Sequence, residues 1–341
     1  MCQRLGLDKS QENIREEGML KSLPGALAAL AFSLTVVTPG AAQTFPSKQI
    51  ELIVPFVAGG TTDSAARLIA QRFSDKWGQP AIVTNRPGGG SAIGTAIASK
   101  AAPDGHTLLV TTIAFAINAS LQKQPYDALR DFTAVTEIST IPIILVVHPS
   151  LPVTNLKDFI AYTKAQPGGA DYASSGPGTS THLAAEMFKT MTGANLVHVP
   201  YKGNAEVMNA LLGGHVKVHF GLSASSLQHV RSGKLRAIAV TTDKRLASLP
   251  DIPTVAELGY PDYEISSWQG AFVPTGTPKP VIDRLSREIV ELIKTPDMQA
   301  RIRKESAEPV GSTPEQFAAR FKIEVEKWAR VIKAAGLGAA K

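Results

Sequence analysis

The 341-residue chain predicts an α/β protein of two lobes, each a mostly parallel sheet flanked by helices, joined by two hinge strands. Three observations predict it. Short apolar, β-branched runs alternate with amphipathic helical patterns, the order that builds parallel sheets with covered faces. Small-residue, hydroxyl-rich loops recur where strands run into helices. A long apolar run, "IPIILVVHPSLP", with Pro149 and Pro152 as breakers, separates one such series from the next.

Ahead of the lobes, residues 23–37 ("LPGALAALAFSLTVV") have the length of a secretory h-region, and small residues at Gly40 and Ala42 fit a signal-peptidase site after Ala42. A membrane-spanning helix needs about 20 apolar residues, more than this run supplies. Residues 1–42 therefore read as a cleavable signal peptide and the mature protein as periplasmic. Met19 followed by Lys21 makes a more ordinary n-region than the mixed-charge segment before it, so the start is Met1 or Met19. Loss of 1–42 removes Cys2, the single cysteine, together with equal numbers of basic and acidic residues, so the net charge stays at +6. No disulfide, thiol chemistry or lipid anchor is then expected. The charges are scattered, with no basic stripe among aromatics, which argues against nucleic acid.

In the mature chain, residues 49–54 and 81–84 read as strands, with helix 64–77 between them. Ala65, Leu68, Ile69, Phe73 and Trp77 give that helix one apolar stripe. Helix 92–101, stopped by Pro103-Asp104-Gly105, and strand 107–112 complete a βαβαβ unit. Beyond the long central strand come helix 156–165, strand 170–173, helix 181–191, strand 196–199, helix 205–212, and strands 216–220 and 235–240. A return strand follows Glu264, and helices 281–293, 296–304 and 314–335 close the chain. Lobe 1 is thus 43–147 plus 269–341, and lobe 2 is 148–268, with a cleft between them where ligands usually bind.

The stretch "IVPFVAGGTTDSAARLIAQ" breaks from strand to helix through Gly-Gly-Thr-Thr-Asp. A helix start leaves first-turn N–H groups unpaired at the positive end of the macrodipole, so it holds a carboxylate without Lys or Arg. Candidate contacts here are Phe56, Val57, Ala58, Gly59, Gly60, Thr61, Thr62 and Asp63. Asp63 is also able to cap the helix itself, and a well-capped loop without a ligand explains this stretch equally well when it stands alone. Recurrence shifts the balance. "YASSGPGTSTHLAAEMF" repeats the grammar with Ser174, Ser175, Gly176, Gly178 and Thr179, and "HVPYKGNAEVM" sets Tyr201 and Lys202 before another helix. Asn85, Thr112 and Gly221, at other strand ends, join the candidate set. Two donor-rich loops across a cleft suit a dicarboxylate, or a carboxylate with a polar far end. Phe56 and Tyr201 are placed to stack on a ligand ring, and Trp268 either does so or packs between lobes.

Enzyme motifs are missing. "GGGSAIG" fails the dinucleotide fingerprint because Ile93 stands where the last glycine belongs, and there is no P-loop, G-x-S-x-G elbow or H-E-x-x-H. His215 and His219 lie about 13 Å apart along a strand, too far to share a metal. Ser175 has no assignable base. No catalysis, cofactor or metal is expected.

Together "IVPFVAGGTTDSAARLIAQ", "NRPGGGSAIG", "APDGHTLL", "YASSGPGTSTHLAAEMF", "VHVPYKG", "GKLRAIAVTT", "LPDIPTVAELGY" and "PTGTPKPVIDRL" closely resemble the tripartite tricarboxylate transporter receptors of the Bug type. The match runs through essentially the whole mature chain. The resemblance implies a type II periplasmic-binding-protein fold that closes on a small carboxylate and hands it to a two-subunit integral membrane permease. The loops matching Pro55 to Asp63 and Ser174 to Thr179 would grip the carboxylate ends. A monomer is expected, and the alternatives are a ligand-sensing protein feeding a signalling system or a small-molecule hydrolase. Two departures stand out. The first loop reads "VAGGTTD" where relatives commonly read Pro-Gly-Gly-Gly-Thr-Asp, with Ala58 and Thr61 as the changed positions. Gly221 stands where many relatives carry an acid, which favours plain or aromatic carboxylates over amino acids. N-terminal sequencing of the exported protein is expected to begin at Gln43; a product that keeps residues 1–42 refutes cleavage after Ala42.

Overall fold

Residues 45–338 are described by a computed structural model; the signal-peptide reading, with its cleavage after Ala42, lies outside the described residues. The first series runs β1 (Ile50–Val54), α1 (Thr61–Trp77), β2 (Ala81–Asn85), a 3₁₀ turn (Gly89–Ser91), α2 (Ala92–Ala98), β3 (Thr107–Thr112) and α3 (Ala114–Leu121). The long strand β4 (Phe132–Val147) leads into α4 (Leu156–Ala165), β5 (Ala170–Ser174), α5 (Ser180–Thr192), β6 (Leu196–Pro200), α6 (Asn204–Leu212), β7 (Val218–Leu222), α7 (Ser223–Arg231) and β8 (Arg236–Val240). The chain returns through β9 (Ser266–Pro274) to α8 (Lys279–Ile293), α9 (Pro296–Lys304), the short β10 (Glu308–Pro309) and α10 (Pro314–Ala334).

The predicted elements are present, with ends shifted by a few residues, and two helices are added. α3 ("AFAINASL") is apolar on nearly every side and buries Phe115, Ala116 and Ile117, so it shows no helical stripe to read. α7 ("SASSLQHVR") opens on serines, poor helix formers that tertiary contacts overrule. The central strand starts at Phe132, well before the apolar run that marked it.

β4 belongs to two sheets. Its first part pairs with β9 up to Pro142 opposite Ser266, and from Ile143 it pairs with β7 and β8. The hand-over falls beside Pro142, whose missing N–H is least disruptive where ladder pairing changes. One sheet is ordered β2-β1-β3-β9-β4, with β10 on β4; the other runs from β4 through β7 and β5 to β6, with β8 on the opposite side of β4. The parallel pairs are β1 with β2 and β3, and β5 with β6 and β7. No helix among the described residues is long and apolar enough to cross a membrane.

The cores differ by face. Beneath α1 and α8, Ile69, Phe73, Leu108, Ala271, Val273 and Leu285 form one cluster, and Val207, Leu211, Val216 and Leu235 form another in the second sheet. On the opposite face a single cluster runs unbroken from Phe115 and Phe272 through Trp268 and Tyr263 to Phe188 and Phe220. α10 lies over that seam. Its Arg320 donates to the buried Glu137 carboxylate at 2.7 Å and to Ser266 Oγ at 3.1 Å. Burial pushes the Glu137 carboxyl up, and the Arg320 charge partly opposes this.

Alternation along β9 sorts its side chains, with Trp268 and Phe272 facing α10 and Ala271 and Val273 facing α1. Gly270 lies on the α10 face, and a Cβ there would overlap the fully buried Phe317 ring. Gly270→Ala is therefore expected to lower stability by about 1–3 kcal/mol, the usual range for overpacking. A thermal melt reads it, and an unchanged midpoint would show that Phe317 yields freely.

Candidate functional site

Strand register brings the predicted loops together. Thr112, the last residue of β3, lies opposite Gln269, which lies opposite Ser139 of β4. Leu222, the last residue of β7, lies opposite Ile143 of the same strand. Both sheets thus point the carboxyl ends of their parallel strands at residues 139–143. The helices that start there include α1, α6 and α7, which have no side-chain cap, and α5, which Thr179 caps. Of those that start elsewhere, α4, α9 and α10 are closed by Asn155, Thr295 and Thr313, and α8 has no side-chain cap. Uncapped N-termini leave N–H donors and partial positive charge facing the junction.

In the first loop Val57, Ala58, Gly59, Gly60 and Thr61 are exposed, Phe56 is half-buried, and Thr62 and Asp63 are buried. Gly60, not Asp63, is the N-cap, and Gly59 turns the chain with φ at +85°. Asp63 faces inward. Its carboxylate accepts the Gly59 N–H at 2.9 Å, Arg67 Nε at 2.9 Å and Asn85 Nδ2 at 2.9 Å. Burial alone would raise this carboxyl, yet the hydrogen bonds from Arg67, Gly59 and Asn85 outweigh it and hold it below the usual carboxylate range. Asn85 also donates to the Phe56 carbonyl at 3.2 Å. Asp63 and Asn85 therefore brace the loop from beneath, while the first amides of α1, on Thr61 and Thr62, have no intrahelical acceptor.

The second loop binds itself. Ser175 N–H donates to Thr181 Oγ1 at 3.1 Å, Gly176 N–H to Ser174 Oγ at 3.2 Å and Gly178 N–H to His182 Nδ1 at 3.1 Å. Its amides are engaged, and what it offers is a hydroxyl cluster. Thr181 Oγ1 lies 2.9 Å from Ser175 Oγ and 3.0 Å from Thr179 Oγ1. Under it the His182 and His198 rings stack at 3.9 Å, with Tyr172 5.1 Å from His198. Tyr172 donates to Glu186, which also receives Lys189. Burial, with repulsion from His198, pushes His182 down to about 4, and burial lowers His198 as well. Gly178 holds φ at +73°, and a Cβ there would overlap Leu121 of α3, so this loop touches the first sheet's layer directly.

The remaining candidates divide. Tyr201 is half-buried and its N–H donates to the Ser174 carbonyl, joining it to the second loop. Lys202 is exposed, with its amide on the Glu206 carboxylate. Thr112 accepts the Ala114 N–H at 3.3 Å and so serves the start of α3. Gly221 is buried in β7, where an added Cβ would overlap Ser226 and meet His219, so no acidic side chain fits. Trp268 is fully buried against Phe317 and Phe321 and packs between layers.

Sequence reasoning missed Gln269, Thr181, His182 and His198. His182 was legible in principle, standing three residues after the Thr179 cap; Gln269 reaches Thr61 across 208 residues and carried no local signal. Ser174 Oγ lies 2.6 Å from His198 Nε2, the spacing of a nucleophile and its base. Ser174 has no exposed surface, however, so the pair supports the loop and presents no attacking group.

The family model for the tripartite tricarboxylate transporter family receptor matches residues 65–337. Protein BugT of Bordetella pertussis is 37% identical over 304 residues, covering 88% of this chain and 93% of that protein. A solved R. palustris protein with adipate is similar with a TM-score of 0.74 at 36% identity, covering 86% of this chain and 99% of that one. MatC from Rhodopseudomonas palustris with bound malate gives 0.70 at 28% identity, covering 84% and 100%.

Because the folded His182 resists protonation, the unfolded chain takes up the extra proton as pH falls from about 6.5 towards about 4, and stability drops across that window. Between pH 7 and pH 4.5 this contributes about 2 kcal/mol of loss. His182→Gln should lose less stability over that interval than the wild type in urea melts at both pH values. Equal losses would mean that His182 titrates normally.

Proposed function

The chain belongs to the tripartite tricarboxylate transporter receptor family and is a solute-binding receptor, and we propose that it captures a small organic carboxylate between its two sheets. The observation that supports the ligand class is that uncapped helix N-termini and a hydroxyl cluster follow strands whose carboxyl ends point toward residues 139–143 of β4. Such a site neutralises an anion through fixed dipoles rather than a titrating cation. The relatives solved with adipate and malate support the same class. Thr61 and Thr62 amides on one side, and Ser175, Thr179 and Tyr201 on the other, are the proposed grips, with Lys202 at the rim.

The proposed cycle is export by the N-terminal segment, capture in the periplasm as a monomer, and delivery to a two-subunit membrane permease. Ligand bridging both loops would favour the closed arrangement in proportion to its preference for that state. The steric filling of the Gly221 position by Ser226 and His219 favours acids without an α-amino group.

A thermal-shift titration of residues 43–341 tests this reading. Adipate or malate should raise the melting temperature saturably, by the equivalent of about 2.7 kcal/mol at a hundred times Kd, while aspartate and glutamate should not. A larger shift with the amino acids would overturn the ligand class. No shift with any acid, repeated after denaturation and refolding to strip bound ligand, would overturn the carboxylate reading.

A further inference from the structure

Gln269 is buried, at 3% exposure, yet its amide reaches an exposed residue of the first loop. Nε2 donates to Thr61 Oγ1 at 2.9 Å, and Oε1 accepts the Ser139 hydroxyl at 3.3 Å. Along β9 it precedes Ala271 and Val273 on the α1 face, so a polar amide caps an apolar column where β3 ends. A buried amide without partners is unfavourable, and this one is held at both ends. Thr61 is the first residue of the 17-residue α1. Its oxygen is occupied as an acceptor, which leaves the hydroxyl proton to point elsewhere. Its amide has no intrahelical acceptor either. One residue thus presents an N–H and an O–H donor at the positive end of a helix.

We propose that Gln269 is a positioning residue that makes the Thr61 hydroxyl a donor, so that Thr61 selects a ligand group with two acceptor oxygens, an ionised carboxylate. This rests on the receptor reading above and deepens it. Ser139 holds one end of the amide, the amide NH2 at the other end occupies the Thr61 oxygen, and the hydroxyl and amide of Thr61 take one carboxylate oxygen each.

The test is a double-mutant cycle on residues 43–341, with calorimetric Kd values for adipate and malate. Thr61→Val should raise Kd roughly ten- to a hundredfold, the loss of one hydrogen bond to a charged group, while Thr61→Ser should bind like the wild type. Gln269→Leu should weaken binding in the wild-type background and add nothing in the Thr61→Val background, because it acts through that hydroxyl. A merely structural Gln269 would give additive losses, which overturns the inference. So would a Thr61→Val variant that binds like the wild type, or a Thr61→Ser variant as weak as Thr61→Val. Should Gln269→Leu not fold, Gln269→Glu replaces it: its acceptor-only carboxylate draws the Thr61 proton inward, and the same loss is expected only while Thr61 is present. Failure of wild-type protein to bind either acid overturns the carboxylate reading, and this inference with it. Wild-type binding with unaltered variants overturns this inference alone.

Discussion

The candidate site depends on β4 being hydrogen-bonded into two sheets at once. Because one strand pairs with β9 up to Pro142 and with β7 and β8 from Ile143, the two sheets share a fixed origin. Parallel strands on either side then end toward the same stretch of β4, and the loops after them open from there. The register shifts in the β4–β9 ladder, at residues 134–136 and 137–139, bend the strand before the hand-over. α10 secures that stretch through Arg320, whose guanidinium ties Glu137 of β4 to Ser266 at the start of β9.

The two loops reach rigidity by opposite routes. The first is organised around a buried charge: Asp63 gathers Gly59, Arg67 and Asn85, so the exposed backbone from Val57 to Thr61 is held without contributing a cap of its own. The second is organised around hydroxyls and the His182 imidazole, which occupy its amides from below, with His198 stacked on His182. Both leave small donors at the surface and place the titratable groups underneath. Such preorganisation reduces what a ligand must order when it binds.

Core packing explains why the sheets are coupled unequally on their two faces. One apolar cluster continues across the seam through Trp268 and Tyr263, while the clusters under α1 and under α6 stay separate. The continuous face joins the two sheets along one side, while the other side is divided. The contact of Gly178 with Leu121 extends that coupling to the second loop. Gln269 lies on the other face of the same strand as Trp268, so adjacent residues serve the seam and the first loop.

The sequence by itself determined what short-range periodicity encodes. The apolar stripe of α1 and the β-branched runs of β1, β2 and β3 were legible, as were the glycine and hydroxyl loops that mark the strand–helix junctions. The family followed from those loops in series. Only the tertiary structure decided what each polar side chain does once it is there. Asp63 and Asn85 read as ligand contacts but bond to each other, and Gly221 marks a position that Ser226 and His219 have already filled. α3 and α7 escaped notice because one is apolar almost all round and the other is serine-rich, so neither shows a stripe. Gln269 and Thr61 are 208 residues apart, and nothing local links them. Periodicity reports which face of an element is buried. A hydrogen bond between distant residues depends instead on how whole elements are set beside one another, here by the shared strand β4.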